Sequence, residues 1–132
     1  MSNPVVYPSQ VLQPQGVTLV RAIGGHLFVG RANVLEVYEK VEGGSQLRFV
    51  TSHVFTNRIL FFDKYKDNYL LGFASYLLMV DYRFKDVISF DSIPKDEQYQ
   101  ISQVQYQRCN DIVICMSTTN NITFIHLRML KS

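Results

Sequence analysis

Leu27-Phe28-Val29-Gly30-Arg31-Ala32-Asn33-Val34-Leu35-Glu36-Val37-Tyr38 is two short apolar runs split by a small polar turn. The pattern returns twice. Tyr69-Leu70-Leu71-Gly72 is followed by Tyr76-Leu77-Leu78-Met79-Val80-Asp81-Tyr82, and Asp111-Ile112-Val113-Ile114 by Ile122-Thr123-Phe124-Ile125-His126-Leu127. Phe28 to Leu70 is 70 − 28 = 42 positions, and Leu70 to Ile112 is 112 − 70 = 42 again. Only the third copy has a longer turn, Ser117-Thr118-Thr119-Asn120-Asn121.

A fixed period of this size, with several short strands per unit, is the mark of propeller blades. Each pair of runs reads as a hairpin, because the runs are rich in β-branched and aromatic residues and are parted by Gly, Asn, Ser or Thr. Near-continuous apolar runs such as Tyr76 to Val80 suit strands covered on both faces. The expectation is an all-β chain, a partial β-propeller of about three WD40-like blades built from antiparallel hairpins. A plain barrel or sandwich with accidental spacing is the alternative. A propeller ring usually takes four or more blades. Three units therefore imply either a piece of a longer protein or sheets completed by a partner, since open edges invite aggregation.

Apolar residues make up 47% of the 132 residues, which fits a globular chain and not a disordered one. The formal charge is +2, with the basic residues scattered from Arg21 to Lys131, so composition carries no nucleic-acid or membrane signature. Two cysteines, Cys109 and Cys115, are too few for a disulfide framework and fit a reducing compartment. The N-terminal residues Met1 to Pro8 have neither a basic region nor a long apolar run, so no signal peptide is expected. No run reaches the eighteen or so apolar residues of a spanning helix.

Residues 1–15 hold three of the four prolines and read as an extended arm; residues 16–132 read as the propeller domain. Gly16 to Ile23 is a candidate strand, turned by Gly24-Gly25 into the first hairpin. Glu42-Gly43-Gly44-Ser45 is a flexible connection. Gln46 to Ser52 alternates and reads as an outer strand with one wet face. Val54 to Phe62 reads as the next strand region, followed by a polar turn over Lys64-Tyr65-Lys66-Asp67-Asn68. Val87 to Ser92 is another outer strand, and Pro94-Lys95-Asp96-Glu97 a solvated loop. In Tyr99 to Tyr106, Ile101 and Val104 are the inward positions, and their spacing of three implies a bulge or a break. No helical periodicity is sustained.

Chemistry is sparse. His26, His53 and His126 are far apart in sequence, and a metal site needs three or four converging ligands. Cys109, Cys115 and His126 follow no metal-ligand spacing. There is no serine elbow, no phosphate loop and no evident acid–base pair, so neither an enzyme nor a cofactor, metal or small-molecule substrate is expected. Lys64, Tyr65 and Lys66 mix an aromatic with lysines as single-stranded RNA surfaces do, and are the candidate nucleic-acid contacts. The end of a buried strand running into a wet turn looks the same. Asn121-Ile122-Thr123 fits a glycosylation pattern and equally plain turn chemistry.

Ala32-Asn33-Val34-Leu35-Glu36-Val37-Tyr38, within the opening hairpin, resembles the "ANxLEVY"-like start of the large triple-propeller scaffold proteins. That family includes the large subunits of the cleavage and polyadenylation specificity factor and of the damaged-DNA-binding complex, and the propeller subunit of splicing factor 3b. The string is most similar to the cleavage and polyadenylation member. Phe55-Thr56-Asn57-Arg58-Ile59 sits where the family has a Phe-Gly-x-Ile-like strand start, with Thr56 in place of glycine. Tyr69 to Phe73 with Leu77 to Tyr82 is similar to its second hairpin, including the acidic residue before the aromatic, Asp81-Tyr82. The resemblance covers residues 16 to 128. It implies a non-enzymatic scaffold in the nucleus, acting in mRNA 3′-end processing, with protein subunits of a multi-subunit complex as partners and RNA as a further candidate. A paralogous scaffold in ubiquitin ligation, DNA repair or splicing is the alternative. A direct single-stranded nucleic-acid-binding module is another.

Overall fold

The computed structural model describes residues 16–43, 46–91 and 101–129. The expected arm over 1–15, the loop Pro94 to Glu97, and Gly44 and Ser45 lie outside the described residues. The described chain is all-β and forms three open antiparallel sheets. The first holds β1 (Val17–Ile23), β2 (His26–Arg31), β3 (Val34–Lys40) and β4 (Leu47–Val54), in that spatial order. The second holds β5 (Phe61–Tyr65), β6 (Asn68–Gly72), β7 (Tyr76–Val80) and β8 (Asp86–Asp91), again in order. The third holds β9 (Ile101–Gln107), β10 (Ile112–Ser117) and β11 (Ile122–His126), and a single 3-10 turn, Leu127–Met129, follows it. Tight turns hold the hairpins. Gly24, at φ 60°, opens the β1–β2 turn, and Lys66, one repeat on at 24 + 42, takes the same left-handed backbone at φ 52°.

The second sheet is sandwiched between the other two. Its face bearing Phe62, Leu71, Phe73 and Val80 packs on Phe28, Leu35 and Val37 of the first sheet. Its opposite face, with Tyr65, Leu70, Leu77 and Met79, packs on Ile101, Val113 and Cys115 of the third. The 42-residue period keeps these faces in phase. Forty-two is even, and strand side chains alternate with a period of two. Phe28 therefore faces the second sheet, Leu70 faces the third, and Ile112 shares their orientation on the third sheet's far side. Gly30 and Gly72 are also one period apart and do the same job. A Cβ on Gly30 would sit 2.8 Å from Leu19 Cγ, and one on Gly72 would sit 2.8 Å from Phe61 Cβ, so both positions admit a large cross-strand neighbour.

The connection between the first two sheets differs from the expected strand over Val54 to Phe62. Strand β4 ends at Val54 and β5 begins at Phe61. The backbone between them is bound to turns instead of a ladder. Phe55 N donates to Asn33 O at 2.8 Å, Ile59 N to Ala32 O at 2.8 Å, and Leu60 N to Gly72 O at 2.8 Å. Thr18 Oγ1 adds a bond to Ile59 O at 3.0 Å, and Asn33 Nδ2 one to Phe55 O at 2.9 Å. Ile59 is fully buried as a plug between the two sheets. Strand β4 is wet on both faces, not one: Phe49 and Val54 are exposed on one face and Thr51 on the other. The spacing of Ile101 and Val104 does produce a bulge. Gln103 pairs with Met116 and Ile101 with Ser117, leaving Ser102 as the extra residue. Its hydroxyl donates to Met116 O at 3.0 Å and is 3.2 Å from Ser117 O.

Candidate functional site

The run Lys64-Tyr65-Lys66 does not form one exposed strip. Lys64 and Tyr65 end β5, and only Lys66 and Asp67 make the turn, so the expected five-residue polar turn shrinks to two. Tyr65 is 7% exposed and belongs to the core shared with the third sheet, where its ring meets Tyr106 edge-on at 6.4 Å. Lys64 and Lys66 are exposed, with Lys66 Nζ 5.3 Å from the Tyr65 ring centre. Lys66 and Arg128 border a shallow hollow of about 420 Å³ whose wall includes Tyr65 and Leu127. Arg128 Nε is 2.7 Å from Asp111 Oδ2, and this contact holds the Asp111 carboxyl below its ordinary range. Tyr106 donates to Asp111 Oδ1 at 3.2 Å, and burial first, then this bond, pushes its hydroxyl up to about 12.

One residue away stands a group that sequence reasoning missed. Asp63 is 5% exposed on the face of β5 toward the third sheet. Its Oδ2 accepts from Arg21 Nη2 of the first sheet at 2.9 Å, and its Oδ1 from Arg108 Nη2 of the third at 2.5 Å. A single carboxylate thus ties all three sheets where β1, β5 and β9 converge around a hollow of about 450 Å³. Arg21 and Asp63 are one period apart, 63 − 21 = 42, which is the signal that could have revealed the pair.

A second exposed feature is the β7–β8 turn. Asp81 clamps it: its Oδ1 accepts from Arg83 N at 2.8 Å and from Lys85 N at 2.9 Å, and its carbonyl accepts from Phe84 N at 2.9 Å. The clamp holds Phe84 at φ 63°, a conformation that a bulky residue rarely adopts. The Phe84 ring stacks on His53 of β4 at 4.0 Å and 13°, and on Tyr69 at 5.1 Å. Burial holds the His53 imidazole below its ordinary pKa. The stacked pair is a wall between two hollows. One of about 680 Å³ includes Phe55, Tyr76 and Asp86, and one of about 420 Å³ includes His26, Tyr82 and Arg83. Tyr82 is 67% exposed, with the Arg83 guanidinium 5.2 Å over its ring.

Cys115 is fully buried facing the second sheet, whereas His126 is on the other face of the third, so the two cannot share an ion. No group of three or more His, Cys, Asp or Glu that could hold a metal occurs among the described residues. Asn121 and Thr119 take part in the turn after β10: the Ser117 hydroxyl accepts from Asn121 N at 3.1 Å and from Thr119 N at 3.3 Å. No family model matches the chain, and no curated protein does either.

Proposed function

We propose that the chain is part of a non-enzymatic β-propeller scaffold of the cleavage and polyadenylation type, each sheet being one blade, and that it holds a protein subunit against the β7–β8 turn. The observation that carries the reading is the clamped, strained turn that presents Tyr82 and Arg83 beside two open hollows. Tyrosine and arginine dominate binding energy at protein interfaces, most of all where a rigid support spares them ordering entropy. The in-phase sheets supply that support, and the hairpin strings supply the resemblance to the scaffold family.

The test is recovery of bound proteins from a nuclear extract with the full chain and with the Tyr82→Ala/Arg83→Ala double variant. Identified 3′-end-processing subunits that bind the first and not the second support the reading. Subunits of a ubiquitin ligase or of the spliceosome would move the chain to a paralogous scaffold. Lys64, Lys66 and Arg128 support a second reading, direct contact with single-stranded RNA. That reading predicts binding of an oligouridylate at low salt that falls steeply as salt is added.

A further inference from the structure

Arg21, Asp63 and Gln105 hold the same position in three successive units, since 63 − 21 = 42 and 105 − 63 = 42. They belong to β1, β5 and β9, the strands around the hollow of about 450 Å³, and all three line it. Arg108 joins them from the turn after β9. Around this hollow the charges do not balance. Arg21 Nη2 is 2.9 Å from Asp63 Oδ2, and Arg108 Nη2 is 2.5 Å from Asp63 Oδ1. Among the described residues Asp63 is the sole acidic residue lining the hollow, so the cluster keeps 2 − 1 = 1 positive charge.

Hydrogen-bond donors are in surplus too. A guanidinium carries five N–H groups and no acceptor. Among the described residues, each of these two arginines bonds through a single nitrogen, to Asp63. The Arg108 guanidinium lies over the Tyr106 ring, 5.5 Å from its centre, and the Tyr106 hydroxyl is already given to Asp111. Asp63 is 5% exposed, whereas the arginine side chains are 43% and 60% exposed. The carboxylate is therefore the floor, and two arginine forks held on its two oxygens reach toward water with donors to spare. The walls between them are apolar, with Leu19, Leu60 and Val104.

We propose that this hollow is a binding site for a carboxylate on an apolar stem, as in a short-chain acid or a glutamate side chain, held between Arg21 and Arg108 above Asp63. A guanidinium fork matches the two oxygens of a carboxylate. One added negative charge makes a neutral set of two arginines and two carboxylates. A phosphate dianion would leave excess negative charge beside the buried Asp63, which is costly away from water. The apolar walls cover a stem that a bare ion lacks. The site shares no lining residue with the two hollows at the β7–β8 turn, and it does not rest on the scaffold reading.

Titration of the isotope-labelled full chain, followed by the arginine Nε–H signals at neutral pH and constant ionic strength, tests it. The ligands are sodium butyrate, formate, phosphate and a blocked Gly-Glu-Gly peptide. Saturating shifts of Arg21 and Arg108 are expected with butyrate, about tenfold tighter than with formate because the stem leaves water, and tighter than with phosphate. The peptide binding more tightly than butyrate would assign the carboxylate to a protein partner, and the reverse order to a free acid. Arg21→Gln and Arg108→Gln should each weaken butyrate binding by about tenfold or more, the loss of a charge-assisted bond. Asp63→Asn removes the competing charge and should strengthen it. Arg48→Gln, at an arginine paired with Glu39 elsewhere, should change nothing. Circular dichroism checks that each variant keeps its strands. No saturation, phosphate binding more tightly than butyrate, or binding that survives both substitutions at Arg21 and Arg108 would overturn the site.

Discussion

The two internal interfaces are built from different materials. Between the first and second sheets a run of rings threads a core that also holds Leu35, Val37, Ile59, Leu71 and Val80: Phe28 meets Phe62 at 4.7 Å and Tyr69 at 5.4 Å, and the rings continue to Phe84 and His53. The connecting backbone is also bonded to the Ala32-Asn33 turn, so covalent link and core reinforce each other. Between the second and third sheets the core is mainly aliphatic, with Leu70, Leu77, Met79 and Val113, and Cys115 among them. Its polar ties are the Arg108–Asp63 pair and the bond from Ile101 N to Ala74 O at 2.7 Å. Large flat rings bury more area per residue and favour tilted contacts, which fixes the first interface more narrowly than branched chains fix the second.

The largest expected effect is at the aromatic interface. Phe62→Ala should remove about 3–5 kcal/mol in a urea titration, the usual loss for a buried phenylalanine. A loss no greater than that of Cys115→Ala, at the other interface, would erase the contrast. Gly72→Ala comes next, at about 1–3 kcal/mol, because the new methyl meets the Phe61 Cβ, which is fixed to a neighbouring backbone. A neutral Gly72→Ala would mean that β5 and β6 slide apart freely.

Asp63→Asn keeps the shape and removes the charge shared by Arg21 and Arg108, both of which reach water. About 1–3 kcal/mol is expected, the range for charge-assisted bonds. Hydrogen exchange should quicken in β1 and β9 together; faster exchange in one alone would show that the carboxylate serves a single neighbour. Ser102→Ala removes the hydroxyl at the bulge and should cost about 0.5–1.5 kcal/mol, with the protection lost confined to the third sheet.

The smallest effects separate the interfaces by pH. His53 has its pKa lowered by burial, so the neutral form is favoured in the fold. Its contribution is present above the ordinary histidine value near 6.5 and is lost as pH falls through the lower folded value. Cys115 has its pKa raised to about 11 by burial, from an ordinary 9.0. Below 9.0 both states hold the proton; above it the unfolded thiol ionises first, so stability falls between about pH 9 and 11. His53→Gln should lessen the loss of stability just below pH 6.5 and Cys115→Ser the loss above pH 9.0, where Tyr106, raised to about 12, still contributes, as read from thermal midpoints. Each substitution altering the opposite limb would break the assignment.

Much of this was legible in the sequence. The hairpins and their spacing were, because apolar runs and an even period translate directly into strands with faces in phase. The bulge in β9 was legible too, since Ile101 and Val104 cannot both point inward without it. The stretch from Phe55 to Leu60 was not. Its apolar residues resemble a strand, but its backbone partners are turns far away in the chain, and no local pattern encodes them. Tyr65 was misplaced for a related reason. Asp63, buried by two arginines from other sheets, sits mid-strand between Phe61 and Tyr65 and disguises a buried face as a polar one. The β7–β8 turn showed only the Asp81-Tyr82 pair. The left-handed backbone at Phe84 and its stack on His53 depend on tertiary contacts.

The even length of the repeat bears on how such a chain can change. Adding or deleting a whole unit leaves every remaining side chain aimed as before, so copying and loss of units are permitted steps. A one-residue insertion inside β6 or β10 would exchange the two faces of everything beyond it up to the next turn. The residues free to vary in number are those between strands, and the longer Ser117–Asn121 turn, held by the Ser117 hydroxyl, is where this chain has already used that freedom.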